Sequence, residues 1–171
     1  MPSFPVFLAL GANLGAREAT LEAALAALAR QGVQVRRRSG LYLTEPVGGP
    51  PQDWYVNQVV LGETALEPAA LLETALAIER AHGRERSVPN APRTLDIDIL
   101  FFGERVVTTP RLTIPHPRLQ ERRFVLVPLA EIAPEHRHPV SGLTARELLA
   151  RCADTARVVP HGAPIGGAVP R

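Results

Sequence analysis

Lysine is absent from the 171 residues, and all 19 basic residues are arginine. A Walker A phosphate loop and catalysis through a lysine Schiff base both need lysine, so both are excluded. Any phosphate bound here must be held by guanidinium groups, metal ions or backbone amides. Arginine suits this task because its planar guanidinium matches pairs of phosphate oxygens. A nucleotide bias in the genome would also remove lysine, so its absence permits phosphate chemistry without requiring it.

Cysteine and long apolar runs are also scarce. Cys152 is the only cysteine, which excludes an intrachain disulfide, a thiolate zinc site and a C-x-x-C redox pair. No apolar run approaches the roughly 20 residues of a membrane-spanning helix, and the first residues lack the basic region of a signal peptide. We therefore expect a cytoplasmic protein with no membrane partner.

Excess charge and aromatic residues are limited too. The formal net charge is +2, and only two tyrosines, one tryptophan and five phenylalanines are present. Neither feature is typical of a dedicated nucleic-acid binder, so we expect no nucleic-acid partner. The length fits one domain that can bury a substantial core. We expect this domain to be a monomer.

The most informative stretch contains two aspartates, Asp96 and Asp98, within a run of β-branched and aromatic residues. Such a composition predicts a β-strand. Side chains alternate between the two faces of a strand. The two carboxylates should therefore share one face, while Ile97, Ile99 and Phe101 point to the other.

This spacing lets both carboxylates reach a shared cation. At a rise of about 3.3 Å per residue, the two Cα atoms lie roughly 6.6 Å apart. Two like charges beside an apolar run are costly unless a cation lies between them, and Mg²⁺ is the hard cation that carboxylates bind. The alternative is an edge strand whose polar face contacts water. Nine arginines against five acidic residues between Arg80 and Arg123 favour a metal and phosphate site.

Hydrophobic periodicity and turn residues predict the remaining elements. Strands are expected at residues 6–10, 33–44 and 55–61, with a bend at Ser39 and Gly40. Helices are expected at residues 16–31 and 68–82, and at 118–130 with an interruption at Pro128. A capping box at Thr144 predicts a last helix that ends near residue 153.

The loops and strand ends carry short motifs in a fixed order. They are Gly11-Ala12-Asn13-Leu14-Gly15, Tyr42-x-Thr44, Tyr55-x-Asn57, Glu79, Gly83-Arg84-x-Arg86, Pro92-Arg93-Thr94-Leu95-Asp96-Ile97-Asp98-Ile99, Arg111-Leu112-Thr113-Ile114-Pro115-His116 and Arg122-x-Phe124. In order and spacing, this set resembles the 6-hydroxymethyl-7,8-dihydropterin pyrophosphokinase family of folate biosynthesis. The resemblance implies a ferredoxin-like α+β fold with an antiparallel sheet and packed helices. We assign residues 1–160 to this pyrophosphokinase domain, and the glycine and proline content of residues 161–171 predicts a flexible tail.

The resemblance also implies a reaction and its participants. ATP would donate a diphosphate group to the hydroxymethyl oxygen of the pterin and leave as AMP. Two Mg²⁺ ions held by Asp96 and Asp98 would bridge the phosphates and the attacking oxygen. The catalytic residues implied are Arg84, Arg93, Asp96 and Asp98. The ATP-binding residues implied are Glu79, Arg84, Arg86, Arg93, Ile99, Arg111, Thr113, His116 and Arg122.

A flat, polar pterin needs stacking faces and a few fixed polar groups. The resemblance places it between Tyr55 and Phe124. Its remaining contacts are implied to be Gly11, Thr44, Pro46, Val47, Asn57 and Asp96. Two positions depart from the family, since Asn90 and Pro117 stand where aromatic residues are common.

Two other functions remain open at this point. One is a different Mg²⁺-dependent nucleotidyl or phosphoryl transferase with a D-x-D metal site, which would have no use for a pterin-stacking pair. The other is a non-catalytic module that binds RNA through its arginines. A charge reversal at Asp98 separates them, because it should abolish transfer and leave an RNA contact intact or stronger.

Overall fold

One antiparallel sheet organises the chain, as seen in a computed structural model that describes residues 2–13, 15–46, 52–83 and 94–161. The strands are β1 (Phe4–Ala12), β2 (Val33–Arg38), β3 (Leu41–Thr44), β4 (Tyr55–Thr64), β5 (Asp96–Phe102), β6 (Val107–Thr108), β7 (Thr113–Ile114) and β8 (Val158–His161). The helices are α1 (Arg17–Arg30), α2 (Pro68–Ala81), α3 (Arg123–Ile132) and α4 (Ala145–Arg151). In these four segments, every helix falls short of the length and apolarity that a bilayer crossing requires.

The strands run in the order β5-β1-β4-β3-β8, with β2 also paired to β4, while β6 and β7 form a separate hairpin. The order of elements from β1 to β5 is the predicted one, and the α+β fold with an antiparallel sheet is confirmed. The predicted bend is confirmed too, because Ser39 and Gly40 separate β2 from β3. The Ser39 hydroxyl accepts a hydrogen bond from the Val59 amide at 3.0 Å, which anchors this bend to β4.

Helices cover both faces of the sheet and form two apolar cores. Helices α1 and α2 pack on one face, where Leu28 and Leu71 lie against Val6 and Val60. Helices α3 and α4 pack on the other face through the buried residues Leu126, Leu129 and Leu148. Asp96 and Asp98 lie on this second face, since they alternate with Ile97 and Ile99 of the first core. The predicted shared face of the two carboxylates is thus present.

The prediction for Phe101 is wrong. Phe7 pairs with Phe101 and Leu8 pairs with Ile99, so one extra residue, Leu100, is inserted in β5. Such a β-bulge reverses the alternation of side chains beyond it. Phe101 therefore packs in the second core, with its ring centroid 5.9 Å from that of Phe7.

The predicted interruption at Pro128 is also wrong. Helix α3 continues from Arg123 to Ile132 through Pro128, which is buried in the second core. Proline removes one backbone hydrogen bond from a helix interior. We attribute its tolerance to the apolar face of α3, whose burial against the sheet offsets that loss.

Strand β8 was not predicted from the sequence. It pairs with β3, and the pairs run from Thr44 with Val158 to Leu41 with His161. Only Val158 and Val159 carry a strand propensity in this proline-rich stretch, so the local signal is short. His161 is the last described residue, and the remainder of the predicted tail lies outside the described segments.

Thr144 begins α4 with the predicted capping box. Its hydroxyl accepts from the Glu147 amide at 3.1 Å, and the Glu147 carboxylate accepts from the Thr144 amide at 2.9 Å. We expect Thr144→Ala to lower the free energy of unfolding by about 1 kcal/mol, because the Glu147 amide at the helix start loses its side-chain acceptor. Thr144→Ser keeps the hydroxyl and should retain most of that stability. Urea denaturation of both variants checks this, and equal losses would contradict it.

His136 gives the second core a dependence on pH. Its ring packs 4.7 Å from Phe7 and 4.5 Å from Phe101, and its buried Nε2 has no hydrogen-bond partner among the described residues. Burial lowers the pKa of His136, Glu104 raises it and His138 lowers it, with a net result below the ordinary 6.5. The unfolded chain therefore takes up the proton first.

We expect stability to fall as the pH drops below about 6.5, where His136 charges in the unfolded chain before it charges in the folded one. His138 and His116 also have lowered pKa values and add an effect of the same sign. The variant His136→Phe should reduce this slope while keeping the aromatic packing. Thermal melting of both proteins between pH 5 and pH 8 tests this, and parallel profiles would refute it.

Candidate active site

The two aspartates lie beside small residues of β1. Asp96 is opposite Gly11, and Asp98 is opposite Ala9. Because neither neighbour has a long side chain, the sheet face next to the carboxylates is not filled from β1. Asp98 retains 32% exposure of its side chain. Both carboxylates can therefore reach a ligand that approaches from the face that α3 covers.

Two basic side chains approach Asp98 from the loop and helix that follow β7. His116 Nε2 lies 4.0 Å from Asp98 Oδ1, and an Arg122 guanidinium nitrogen lies 3.7 Å from Asp98 Oδ2. The His116 amide donates to the Leu100 carbonyl at 3.0 Å, which holds this loop against β5. Arg122 is the residue immediately before α3. The arrangement sets two donors for phosphate oxygens beside the carboxylate pair.

Hydrogen bonding fixes the tautomer of His116. Its Nδ1 accepts from the Arg118 amide at 3.1 Å, so Nε2 carries the hydrogen and faces Asp98. Burial lowers the pKa of His116, Asp98 raises it, and Arg122 and Arg118 lower it, with a net decrease. The ring is therefore neutral near pH 7, and its Nε2–H can donate to an anionic oxygen.

Glu79 supports β5 from the end of α2. It is only 1% exposed, and its Oε2 accepts from the Ile97 amide at 2.7 Å. Ile97 lies between the two aspartates, so this bond holds the strand segment that carries them. ATP binding by Glu79 stays a prediction.

Polar residues that can bind a second ligand lie on the strands next to β5. Asp96, Gly11 and Asn57 form one row of neighbours across β5, β1 and β4. Gly11 is opposite Asn57 on β4 as well as Asp96 on β5. The Asn57 amide donates to the Thr44 hydroxyl at 2.5 Å, and both side chains are buried. A Cβ atom at Gly11 would clash with Asn57 Oδ1. Glycine is therefore required where the Asn57 carboxamide crosses β1.

The two aromatic residues of the predicted site lie on β4 and on α3. Tyr55 is half-buried and pairs with Thr44, while half-buried Phe124 lies in the first turn of α3. The guanidinium carbon of Arg122 lies 5.6 Å from the centroid of the Phe124 ring. Pro46 is half-buried two residues after Thr44.

Other predicted residues lie apart from this row or outside the described segments. Arg111 forms an exposed ion pair of 2.6 Å with Glu73 on α2. Thr113 is exposed on β7, and the Ile99 side chain belongs to the first core, so only its backbone remains for ATP. The predictions for Val47, Arg84, Arg86, Arg93 and the substituted position Asn90 fall outside the described residues.

Asn13 is a supporting residue for which sequence analysis gave no separate role. It is 2% exposed, and its carboxamide donates to Gln52 Oε1 at 2.6 Å and to the Asp53 carbonyl at 3.1 Å. These bonds tie the loop after β1 to the chain that enters β4. A polar residue between Gly11 and Gly15 was the available signal, but its partners lie about forty positions away.

Comparison with known proteins identifies the family. The family described as 7,8-dihydro-6-hydroxymethylpterin-pyrophosphokinase matches residues 7–134. The chain belongs to this family. It is similar to a 2-amino-4-hydroxy-6-hydroxymethyldihydropteridine pyrophosphokinase of Synechocystis, with 45% identity over 94% of the chain and 83% of the relative. A Bacillus subtilis protein with the same description is 46% identical over 74% of the chain and 76% of the relative.

Solved structures agree on the fold. The HPPK-DHPS chain of Plasmodium falciparum with pteroate matches 87% of this chain with a TM-score of 0.71 and 16% identity. The chain spans 42% of that longer protein. The resemblance recognised in the motifs is thus confirmed by family and by fold, and the chain is an ATP-using pyrophosphokinase.

Proposed function

We propose that this chain transfers diphosphate from ATP to the hydroxymethyl oxygen of 6-hydroxymethyl-7,8-dihydropterin, with release of AMP, in folate synthesis. One observation carries the assignment to these residues. Asp96, Gly11 and Asn57 are consecutive neighbours across β5, β1 and β4. This row brings the carboxylates next to the buried polar pair of Asn57 and Thr44, so that phosphate and pterin could meet there.

The carboxylate pair fits Mg²⁺. Asp96 and Asp98 supply hard oxygen ligands from one strand face, and Mg²⁺ in phosphotransfer sites is held by one or two carboxylates together with substrate phosphates. Two ions are part of the proposal. When bound, they would neutralise phosphate charge and help to orient the diphosphate.

The basic residues around Asp98 bind and orient ATP in this proposal. Neutral His116 donates from Nε2 to a phosphate oxygen, and Arg122 supplies positive charge on the other side of Asp98. Glu79, Ile99, Arg111 and Thr113 are proposed to contact the nucleotide. Arg84, Arg86 and Arg93 are proposed to complete the phosphate site, with Arg84 and Arg93 in catalytic roles.

The pterin is proposed to stack between Tyr55 and Phe124. Asn57 and Thr44 bond to each other and are buried, so they present fixed polar atoms rather than mobile ones. Gly11, Pro46, Val47 and Asp96 are proposed to line the remainder of the pterin site. Positioning and charge stabilisation then supply most of the rate.

We propose that the active form is a cytoplasmic monomer. The row of site residues lies within one chain, so no second copy is needed to complete it. Size-exclusion chromatography with light scattering tests the monomer, and a stable dimer of about twice 18.5 kDa would contradict it.

The test of the proposed function follows the nucleotide product by chromatography. The purified chain is incubated with ATP, Mg²⁺ and the pterin alcohol, and AMP should form only when the pterin is present. Pterin-independent turnover to ADP would support a different Mg²⁺-dependent transferase. RNA binding without nucleotide turnover would support the binding module, although the family match favours neither alternative.

A further inference from the structure

The last described strand, β8, lies beside the proposed pterin site. Strand β8 pairs with β3, and Thr44 is opposite both Val158 on β8 and Tyr55 on β4. Residues 135–161 lie beyond the segment that the family model matches. The residue just before β8, Arg157, thus lies beside the ends of the two strands that carry Thr44 and Tyr55.

Arg157 is bound to Glu45, the residue after Thr44. The Arg157 amide donates to Glu45 Oε1 at 3.1 Å, and its carbonyl accepts from the Glu45 amide at 3.0 Å. A guanidinium nitrogen lies 3.7 Å from Glu45 Oε2. Backbone and side chain together therefore hold the end of β3.

The same guanidinium covers Trp54, the residue before Tyr55. Its central carbon lies 4.7 Å from the centroid of the Trp54 ring, within the range of a cation–π contact. Trp54 is only 7% exposed, and its carbonyl accepts from an Arg17 guanidinium nitrogen at 2.6 Å. The entry into β4 is thereby fixed at both the ring and the backbone of Trp54.

We propose that Arg157 is a positioning residue for the pterin, acting through Thr44 and Tyr55. This inference rests on the proposed function. The side chain of Arg157 is 64% exposed, and an exposed ion pair contributes little to overall stability. Its effect is local, because it joins the two strand ends whose separation sets the distance between the polar and the stacking contacts of the ligand.

The test compares Arg157→Ala, Arg157→Lys and the control Arg146→Ala in steady-state kinetics. Arg146 forms a similarly exposed ion pair with Glu135, at 2.5 Å on α4, and has no place in the proposed site. We expect Arg157→Ala to raise KM for the pterin roughly fivefold to tenfold, as loss of a contact of about 1 kcal/mol or slightly more would. KM for ATP and kcat should change by less than about twofold, which is below 0.5 kcal/mol.

The other variants separate positioning from simple destabilisation. Arg157→Lys retains a cation over Trp54 and should recover part of the affinity, while Arg146→Ala should match the wild type. Equal increases in KM for pterin and ATP, or a large fall in melting temperature, would overturn the proposal. So would an unchanged KM for pterin in Arg157→Ala. A wild-type chain that makes no pterin-dependent AMP would instead overturn the proposed function, and the inference with it.

Discussion

Asp98→Asn is expected to reduce kcat for AMP formation by about three orders of magnitude or more. The neutral carboxamide loses the charge that would hold a metal ion, and charge stabilisation of the transferred phosphates is the main source of rate in such sites. Arg122 and His116 would also lose the anion that they face at 3.7 and 4.0 Å. Single-turnover kinetics at saturating ATP and pterin measures the chemical step directly.

The folded state should not suffer from this change. Asp98 has one long ion pair, with Arg122, and a longer contact with the neutral His116 ring. Removal of its charge also relieves repulsion with Asp96. Glu135→Gln is the matched control, since it also removes one carboxylate charge. Glu135 follows α3 in the sequence and belongs to an exposed ion pair with Arg146, outside the proposed site. Loss of less than tenfold in Asp98→Asn, or an equal loss in the control, would contradict the assigned role.

Gly11→Ala is expected to raise the Kd for the pterin by about one to two orders of magnitude. The added Cβ would clash with Asn57 Oδ1, so the carboxamide must move away from its present position. That movement breaks the 2.5 Å hydrogen bond to Thr44 and removes two fixed polar contacts from the site. Overpacking of this kind also costs about 1–3 kcal/mol of folding stability. Calorimetric titration with the pterin and urea denaturation measure the two effects separately.

Gly40→Ala serves as the control for that substitution. Among the described residues, a Cβ at Gly40 would contact only Glu131 Oε1, at an ordinary distance of 3.8 Å. We expect near wild-type pterin affinity and stability from it. Unchanged pterin affinity in Gly11→Ala would show that Asn57 and Thr44 do not bind the pterin.

Local pattern was sufficient for the parts of the fold that depend on local chemistry. The alternation around Asp96 and Asp98 predicted their shared face, and the Thr144 capping box predicted the start of α4. The reversal at Phe101 was not predictable in this way, because the bulge at Leu100 exists only relative to β1. Pro128 was misjudged for a similar reason, since its tolerance depends on burial against the sheet.

The residues of the candidate site were also predictable where a local motif contains them, and not where a contact between distant segments places them. Motif order indicated Asn57, Thr44 and His116, and the structure brings the first two into direct contact. The motif order did not indicate that Arg111 pairs with Glu73, or that Arg157 binds Glu45 from 112 positions away. Such contacts depend on how distant segments pack, which no local pattern encodes. Roles for Arg84, Arg86 and Arg93 rest on the motifs and stay predictions.

The most direct test of the central claim is phosphorus NMR of the products formed from ATP, Mg²⁺ and 6-hydroxymethyl-7,8-dihydropterin. If the diphosphate is transferred intact, the spectrum will contain AMP and a pair of coupled signals from a diphosphate ester on the pterin. ADP together with a single phosphomonoester signal would show transfer of only the terminal phosphate. That result would contradict the reaction proposed for this chain.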